Sequence, residues 1–312
     1  MDLRQLTTLV AIADHGSFSA AARALYTVQS NVSGHISRLE RELGVVLVDR
    51  QRGGLTDEGV VVVEKARRVL HELDGIAAEM ASRGDEVRGD SRLGVIGTTA
   101  RWLLPQLLAQ LSRQHPGVHL TVHEGNTTNL VPRVVSQHLD GAIVHLPVDD
   151  PEVQVDPLFA EDLVLLVHTK HHLSRLESIT LAELAAEPLM LPPLGTALRR
   201  VIDRAASGVG VELQPQVEID GVRLLTSLAF EGFGAAIVPA TSVPRWLRGD
   251  FKRVTIPEMP RRVVAWVQRR RPSPSAPTRA LGVVLREVVA TQGAKQPGVY
   301  VGTEAFPLGR SV

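Results

Sequence analysis

Between Asp57 and Arg83 the sequence holds no proline, and its interior glycines are Gly59 and Gly75. Along that run Val62, Ala66, Val69, Leu73, Ile76 and Met80 fall at alternating steps of four and three. Two apolar positions in every seven make the seam of a coiled coil, narrower than the stripe of a helix lying on its own domain. Glu64, Lys65, Arg67, Arg68, Glu72 and Glu79 occupy the rest of the surface. So narrow an apolar line is best buried by a second copy of itself. The spacing therefore predicts a long helix and a homodimer joined along it, and does not decide between a homodimer and a homotetramer.

The residues before that helix follow a different design. Leu3, Leu6, Val10 and Ala13 recur at helical spacing and stop at Gly16. Ser17 then caps a second helix through Ala20-Ala21-Ala22 to Leu25, where small side chains let two helices approach closely. After a break at Tyr26-Thr27, a third helix turns Val32, Ile36, Leu39 and Leu43 inward. Its outer side carries Ser30, Gly34, Ser37, Arg38 and Arg41, with Gln29 and Ser33 on the flank. Two helices joined by a tight turn form a helix-turn-helix, whose second helix enters the major groove of DNA. There Gln29 suits bidentate readout of adenine, Ser30, Ser33 and Arg38 suit phosphates, and Gly34 lets the backbone come close. A three-helix core element with a solvated face is the other reading. Gly34 argues against it, since an exposed glycine inside a helix costs about 1 kcal/mol relative to alanine. An apolar strand from Val45 to Val48, a glycine hairpin at Gly53-Gly54 and a return at Leu55-Thr56 add a wing bearing Arg50 and Arg52. Residues 1–59 thus read as a mostly α winged helix-turn-helix. Its six arginines face seven acids in the first sixty residues, so charge alone does not identify a nucleic-acid binder.

Residues 60–89 read as the linker helix and a polar, glycine-punctuated hinge, Arg83 to Ser91. Beyond it the rhythm changes to strand then helix. Strands fit Arg92–Gly97, Val118–Gly125, Gly141–His145, Leu163–His168, Pro188–Leu191, Gln216–Ile219, Ala235–Val238 and Val263–Gln268. Helices fit Arg101–His115, Asn129–Leu139, Leu181–Ala186, Ala197–Ala206, Val222–Phe230 and Arg279–Ala290. Alternation of this kind implies parallel βαβ units. Crossings near Glu161–Leu163 and Ala265–Val267 would divide an α/β domain over 90–292 into lobe I, 90–162 with 267–292, and lobe II, 163–266. The aperiodic residues 293–312 are expected to form a mobile tail. Ligands of such sheets bind at the C-terminal ends of the strands. That position selects Thr98, Thr99, Asn126, Thr128, His145 and Thr196, whose polar groups, with helix N-terminal amides, suit a small anion such as a carboxylate. Simple helix capping is the competing role for the threonines, and a structural role for His145.

The first sixty residues resemble the DNA-binding domain of LysR-type transcriptional regulators. The carriers are Ala20-Ala21-Ala22, Gln29 with Ser33, Leu39-Glu40 with Leu43-Gly44, Arg50, and Leu55-Thr56 with Gly59. Val28 stands where that family carries a capping Ser or Thr, so Thr27 is expected to cap instead. Gly34 replaces a common basic residue, and the wing is short. The second half is similar to the LysR effector domain, itself like periplasmic binding proteins. The matching pieces are Leu103-Leu104-Pro105, His115-Pro116-Gly117-Val118, Asp140-Gly141-Ala142-Ile143, Leu181-Ala182-Glu183-Leu184 and Gly232 to Pro239. The resemblance implies a transcription factor that dimerises through its linker helix, binds double-stranded promoter DNA and responds to a small-molecule effector in a cleft between two lobes. It admits RNA polymerase as a further partner.

Composition excludes other chemistries. The chain has no cysteine, which rules out disulfides, thiolate metal sites and thiol catalysis. No apolar run approaches the ~18 residues of a membrane helix, and Met1-Asp2-Leu3-Arg4-Gln5 lacks a signal peptide's apolar core, so a cytoplasmic location away from membranes is expected. His168, His171 and His172 pass from a strand into a loop, and no metal site is expected from them. Gly232-x-Gly234 lacks a third glycine and precedes a strand, so no dinucleotide cofactor is expected either. The competing class is a small-molecule binding protein or an α/β enzyme with a helical oligomerisation segment, against which the recognition-helix pattern argues.

Overall fold

The computed structural model describes residues 1–49, 54–81, 86–302 and 305. It divides into two compact units, Met1–Arg83 with Ser136–His138, and Gly84–Val135 with Leu139–Val312.

In the first unit α1 (Leu3–His15) starts under a capping box. The Asp2 side chain accepts from the Gln5 amide, and the Gln5 side chain from the Asp2 amide. Ser17 caps α2 (Phe18–Ala24), and α3 (Gln29–Leu43) ends on Gly44 with φ 71°. Leu9, Ile12, Ala21, Val32, Ile36 and Leu39 close the core between them, joined by Leu47 and Val63. Two short strands, β1 (Val48–Asp49) and β2 (Gly54–Leu55), pair antiparallel as the base of the wing. Arg50 and Arg52 of the wing lie outside the described residues. Thr56 then caps α4 (Asp57–Ala81) through the Gly59 amide. A Cβ at Gly59 would sit 2.0 Å from the Leu47 carbonyl oxygen, so glycine alone lets this first turn lie against the strand entry.

Two expectations change here. Thr27 does not cap α3: its hydroxyl accepts from the Asn31 side-chain amide at 3.0 Å, and the N-cap is Val28, with no side-chain bond. Val62 and Ala66 do not belong to an open seam. Val62 packs on the unit's core and Ala66 is 1% exposed, because the first half of α4 lies against α1, where buried Arg67 also pairs with Asp14.

The second unit begins with β3 (Arg88–Ile96), α5 (Gly97–Gln114), β4 (Gly117–Gly125), α6 (Thr127–Val135), β5 (Gly141–His145) and β6 (Val153–Glu161). The chain then crosses into β7 (Leu163–His168), α7 (Leu181–Leu184), β8 (Leu189–Leu191), α8 (Ala197–Gly208), β9 (Pro215–Glu218), α9 (Val222–Phe230), β10 (Ala235–Pro239) and β11 (Phe251–Thr255). It returns through β12 (Arg262–Arg269), α10 (Ala276–Gln292) and β13 (Val299–Tyr300). Among the described residues the strands form two sheets, β13-β6-β12-β5-β3-β4 and β11-β7-β10-β8-β9. Helix-connected neighbours run parallel (β3 with β4 and β5, β8 with β9 and β10), and the strands beside the crossings run antiparallel.

The return crossing falls at residues 256–261, earlier than Ala265–Val267. The whole of β12 pairs with β5 and β6, and Trp266, 1% exposed, is part of the first sheet's core. Nor are residues 293–302 a mobile tail. Gln296, 3% exposed, accepts from the Arg245 amide and donates to the Val243 carbonyl. The strand β13 pairs with β6, and the Tyr300 hydroxyl donates to Asp162 at 2.9 Å. Polar contacts, one short strand and the packing of Val299 and Val301 on the first sheet's core hold this segment, too short an apolar pattern to show in the sequence. Residues 303–304 and 306–312 lie outside the described residues.

At the crossing Glu161 is fully buried and Arg262 is 4% exposed. Arg262 donates from Nε and Nη2 to Glu161 Oε1 at 2.9 and 2.6 Å, and Glu161 Oε2 accepts from the Thr241 amide, beyond β10 of the second sheet. Glu161→Ala would leave a guanidinium almost fully buried without its counter-charge, at a cost of about 3–5 kcal/mol. Urea denaturation should show the loss in the C-terminal unit and leave the N-terminal unit's transition in place.

Candidate functional site

Three places collect the residues singled out in the sequence: the outer face of α3, an exposed line on α4 and a cavity of the C-terminal unit. On α3, Gln29 and Ser30 are exposed at the first turn, and Ser33 and Gly34 are half-buried behind them. The Gln29 Oε1 accepts from Ser19 Oγ at 2.8 Å, which ties the start of α3 to α2. A Cβ at Gly34 would meet nothing within 4 Å, so the unit's own packing does not require glycine there. Arg38 folds back along its helix: Nε donates to the Gly34 carbonyl at 3.2 Å, and Nη2 lies 3.2 Å from His35 Nδ1. The resulting face is short, polar and clear of bulky groups. Further along, Val69, Leu73, Ile76 and Met80 of α4 are 44%, 39%, 59% and 49% exposed and repeat the four-three-four spacing on one side.

Within the C-terminal unit a cavity of about 750 Å³ opens between the two sheets. Thr98, Asn126, Thr128, His145 and Thr196 line it, as do Glu124, Asp220, Arg223 and Arg262. Four helices, α5, α6, α8 and α9, start at its wall. Each start carries backbone amides without intrahelical partners and a partial positive charge. Asn126 satisfies one such amide on α6 and Thr196 one on α8, so these two side chains already act as caps. The starts of α5 and α9 have no side-chain cap. Thr128 is exposed to the cavity. Thr99 does not reach it. Helix α5 starts at Gly97, four residues earlier than expected, and the 100° step after Thr98 turns Thr99 into the interior, fully buried.

His145 is 5% exposed, and its Nδ1 donates to the Leu146 carbonyl at 3.3 Å. Burial first, then the Arg262 charge, hold its pKa down to about 3, so the ring is neutral at physiological pH. Thr127, inside the strand-end stretch Asn126 to Thr128, bonds both the amide and the carbonyl of His145. Arg262 was missed. It donates to Thr98 Oγ1 at 3.1 Å while holding Glu161, and Nη1 makes no bond to the described residues. Its partner lies a hundred residues away in sequence, so no local pattern marked it. At the rim Arg223 and Glu124 pair at 3.0 Å across the start of α5. A Cβ on Gly97 would lie 2.6 Å from the Glu124 carboxylate, so glycine makes room for that pair. Among the described residues no group of His, Asp or Glu is arranged to hold a metal ion.

Comparison with known proteins agrees with this division. Residues 3–60 match the bacterial regulatory helix-turn-helix of the lysR family, and residues 84–290 match the LysR substrate binding domain. The DNA-binding transcriptional dual regulator OxyR of Escherichia coli is 31% identical over 295 residues, covering 93% of this chain and 95% of that protein. A hydrogen peroxide-inducible genes activator of Pectobacterium carotovorum is 33% identical over 286 residues, covering 89% and 92%. Among solved structures, a full-length OxyR of Pseudomonas aeruginosa carrying a cysteine-to-aspartate substitution superposes with a TM-score of 0.74 at 26% identity, covering 93% of this chain and 94% of that one. Full-length CbnR, solved with its target DNA, gives a TM-score of 0.67 at 25% identity, covering 92% and 100%. The chain belongs to the LysR family of DNA-binding transcriptional regulators.

Proposed function

We propose that the chain works as a dimer, or a pair of dimers, that seats two copies of α3 in successive major-groove half-sites and changes its regulation when a small organic anion fills the cavity of the C-terminal unit. Half-sites one helical turn, about 34–36 Å, or a multiple of it apart would match two such helices. The clear outer face of α3 supports the groove contact, with Gln29 as the base reader and Ser30, Ser33 and Arg38 on the backbone. The exposed line Val69, Leu73, Ile76 and Met80 supports a partner of the same kind, since a second copy covers it in register. A cytoplasmic location and contact with RNA polymerase follow from regulating promoters. Among the described residues no helix is long and apolar enough to cross a membrane.

The observation that carries the effector reading is the meeting of four helix starts and Arg262 around one cavity of organic size. Pockets of roughly 300–1,000 Å³ suit small organic ligands. The names of the relatives raise peroxide as an alternative signal. Sensing by thiol oxidation needs a cysteine, and these 312 residues contain none. The cavity also exceeds the size of hydrogen peroxide many times over. An organic carboxylate meeting Thr128, the free amides of α5 and α9 and Arg262 Nη1 fits better.

Four tests address these sites. Gln29→Ala should lose about 1–3 kcal/mol of base discrimination in gel-shift competition. Arg38→Ala should weaken specific and random DNA alike and flatten the salt dependence by about one phosphate contact. Sedimentation of the Val69→Asp, Leu73→Asp double variant should show separated subunits, because the paired helices would bury charge at a cost of several kcal/mol. A variant that stays dimeric puts the main contact elsewhere. For the effector, thermal-shift screening of small carboxylates, with hydrogen peroxide as a separate arm, should find a stabilising carboxylate. Calorimetry should then show weaker binding in Thr128→Val and unchanged binding in Thr99→Val, whose hydroxyl lies outside the cavity. A shift with peroxide alone, or equal affinity in both variants, would sink the carboxylate reading.

A further inference from the structure

Tyr26 is 98% exposed, an aromatic ring almost wholly in solvent. Its φ is 51°, in the left-handed region that bulky L-residues avoid. The backbone explains the angle. Helix α2 closes with the Thr27 amide donating to the Ala22 carbonyl at 2.9 Å and the Tyr26 amide to the Arg23 carbonyl at 3.2 Å. This pair of bonds ends a helix on a left-handed residue, a place most often taken by glycine. The same unit uses Gly16 with φ 72° after α1 and Gly44 with φ 71° after α3. At position 26 the fold asks for glycine, and the sequence supplies tyrosine. The left-handed backbone and the exposed ring are both unfavourable, and burial of the ring among the described residues does not offset them. Strain of this kind concentrates where function requires it.

We propose that Tyr26 is a DNA contact, its hydroxyl donating a hydrogen bond to a phosphate oxygen beside the groove that α3 enters. The inference rests on α3 being the groove element. In a helix-turn-helix the first helix crosses the DNA backbone and the second lies in the groove, so the turn between them passes the phosphates. Tyr26 is in that turn, three residues before Gln29, with Val28 beside it 59% exposed. The turn is fixed by its own backbone bonds, which set the position of the Tyr26 Cα and the direction in which its side chain leaves the turn. The charge balance of the unit adds a reason. With six arginines against seven acids in residues 1–60, part of the backbone grip must come from neutral donors. A phenol is one, and it releases no counterion when it binds.

The test uses the full-length chain, a duplex enriched from a random pool by that chain, and an unselected duplex of equal length. Tyr26→Phe keeps the ring and the turn and removes the hydroxyl. It should weaken both duplexes by about three- to tenfold, with the slope of log affinity against log salt unchanged. Arg38→Ala should flatten that slope. Tyr26→Gly should weaken binding at least as much while the N-terminal unit's thermal transition rises by about 2–4 °C. Opposite signs for stability and affinity mark a residue kept for its partner. Wild-type affinity in Tyr26→Phe overturns the hydroxyl contact, whatever Tyr26→Gly does to folding. A loss confined to the enriched duplex overturns the phosphate assignment. If Gln29→Ala and Arg38→Ala bind as wild type, the reading of α3 falls, separately from any result at Tyr26.

Discussion

A carboxylate with no solvent exposure and a guanidinium with almost none meet where the chain passes between its two C-terminal sheets. Glu161 ends β6 and Arg262 begins β12, so the pair sits on both crossings at once. An ion pair this deep offers little net stability over an apolar substitute. Here it fixes geometry. One carboxylate oxygen holds Arg262 and the other holds the Thr241 amide beyond the second sheet, while Arg262 reaches Thr98 at the first turn of α5. The terminal segment seals the same place, through β13 on the edge of β6, Tyr300 on Asp162 and Gln296 on the loop after Thr241. The cavity wall and the crossing are therefore one hydrogen-bonded structure.

The N-terminal unit solves a different problem with little charge. Alanines in α2 and the glycine at position 59 let helices and strand entry approach closely, so a small core closes around Val32, Ile36 and Leu39, each fully buried. Close packing spends few residues on the inside of α3 and leaves its outer side with few structural contacts, Gln29 to Ser19 and Arg38 along its own helix among them. An open Gly34, an N-cap without a side-chain bond and an exposed Tyr26 each lower the stability the unit would otherwise have. All three lie on or beside the first turns of one helix. Function explains that concentration better than chance does.

Much of this was legible in the sequence wherever information was local. The stops at Gly16 and Gly44, the cap at Ser17, the inward stripe of α3 and most strands after the hinge follow from spacing and turn chemistry. Non-local relations were not legible. Strand β6 mixes Val153, Val155, Leu158 and Phe159 with Gln154, Asp156 and Glu161, and its burial runs from a mostly half-exposed outer half to a buried inner half, so no two-residue alternation marks it. Val62 and Ala66 share the heptad spacing of the exposed line below them, yet α1 covers them, and a one-dimensional pattern cannot distinguish covering by another helix of the same chain from covering by a second copy. Arg262 reads as the polar edge of a strand until Glu161 arrives from across the sheet. Five of the six effector-site candidates do reach the cavity, because strand ends in an α/β sheet converge whatever their side chains. Thr99 fails by a single 100° step of a helix that starts four residues early.

The charges around the cavity cancel largely in pairs, Glu161 with Arg262 and Glu124 with Arg223, with Asp220 exposed nearby. On the proposed reading, attraction for an anion would come from helix dipoles and from Arg262 Nη1, which makes no bond to the described residues. Such a field selects polarity and shape more than charge. It also joins selection to movement. The Glu124–Arg223 pair links the end of β4 in one sheet to the start of α9 beside the other, and both its side chains are about half exposed. A ligand that takes over Arg223 would release this link, whereas one that leaves the pair intact would reinforce it. Because a ligand shifts an equilibrium only by its differential affinity for two arrangements, the treatment of this rim pair would decide, on the proposed reading, whether a bound molecule opens the lobes or holds them closed.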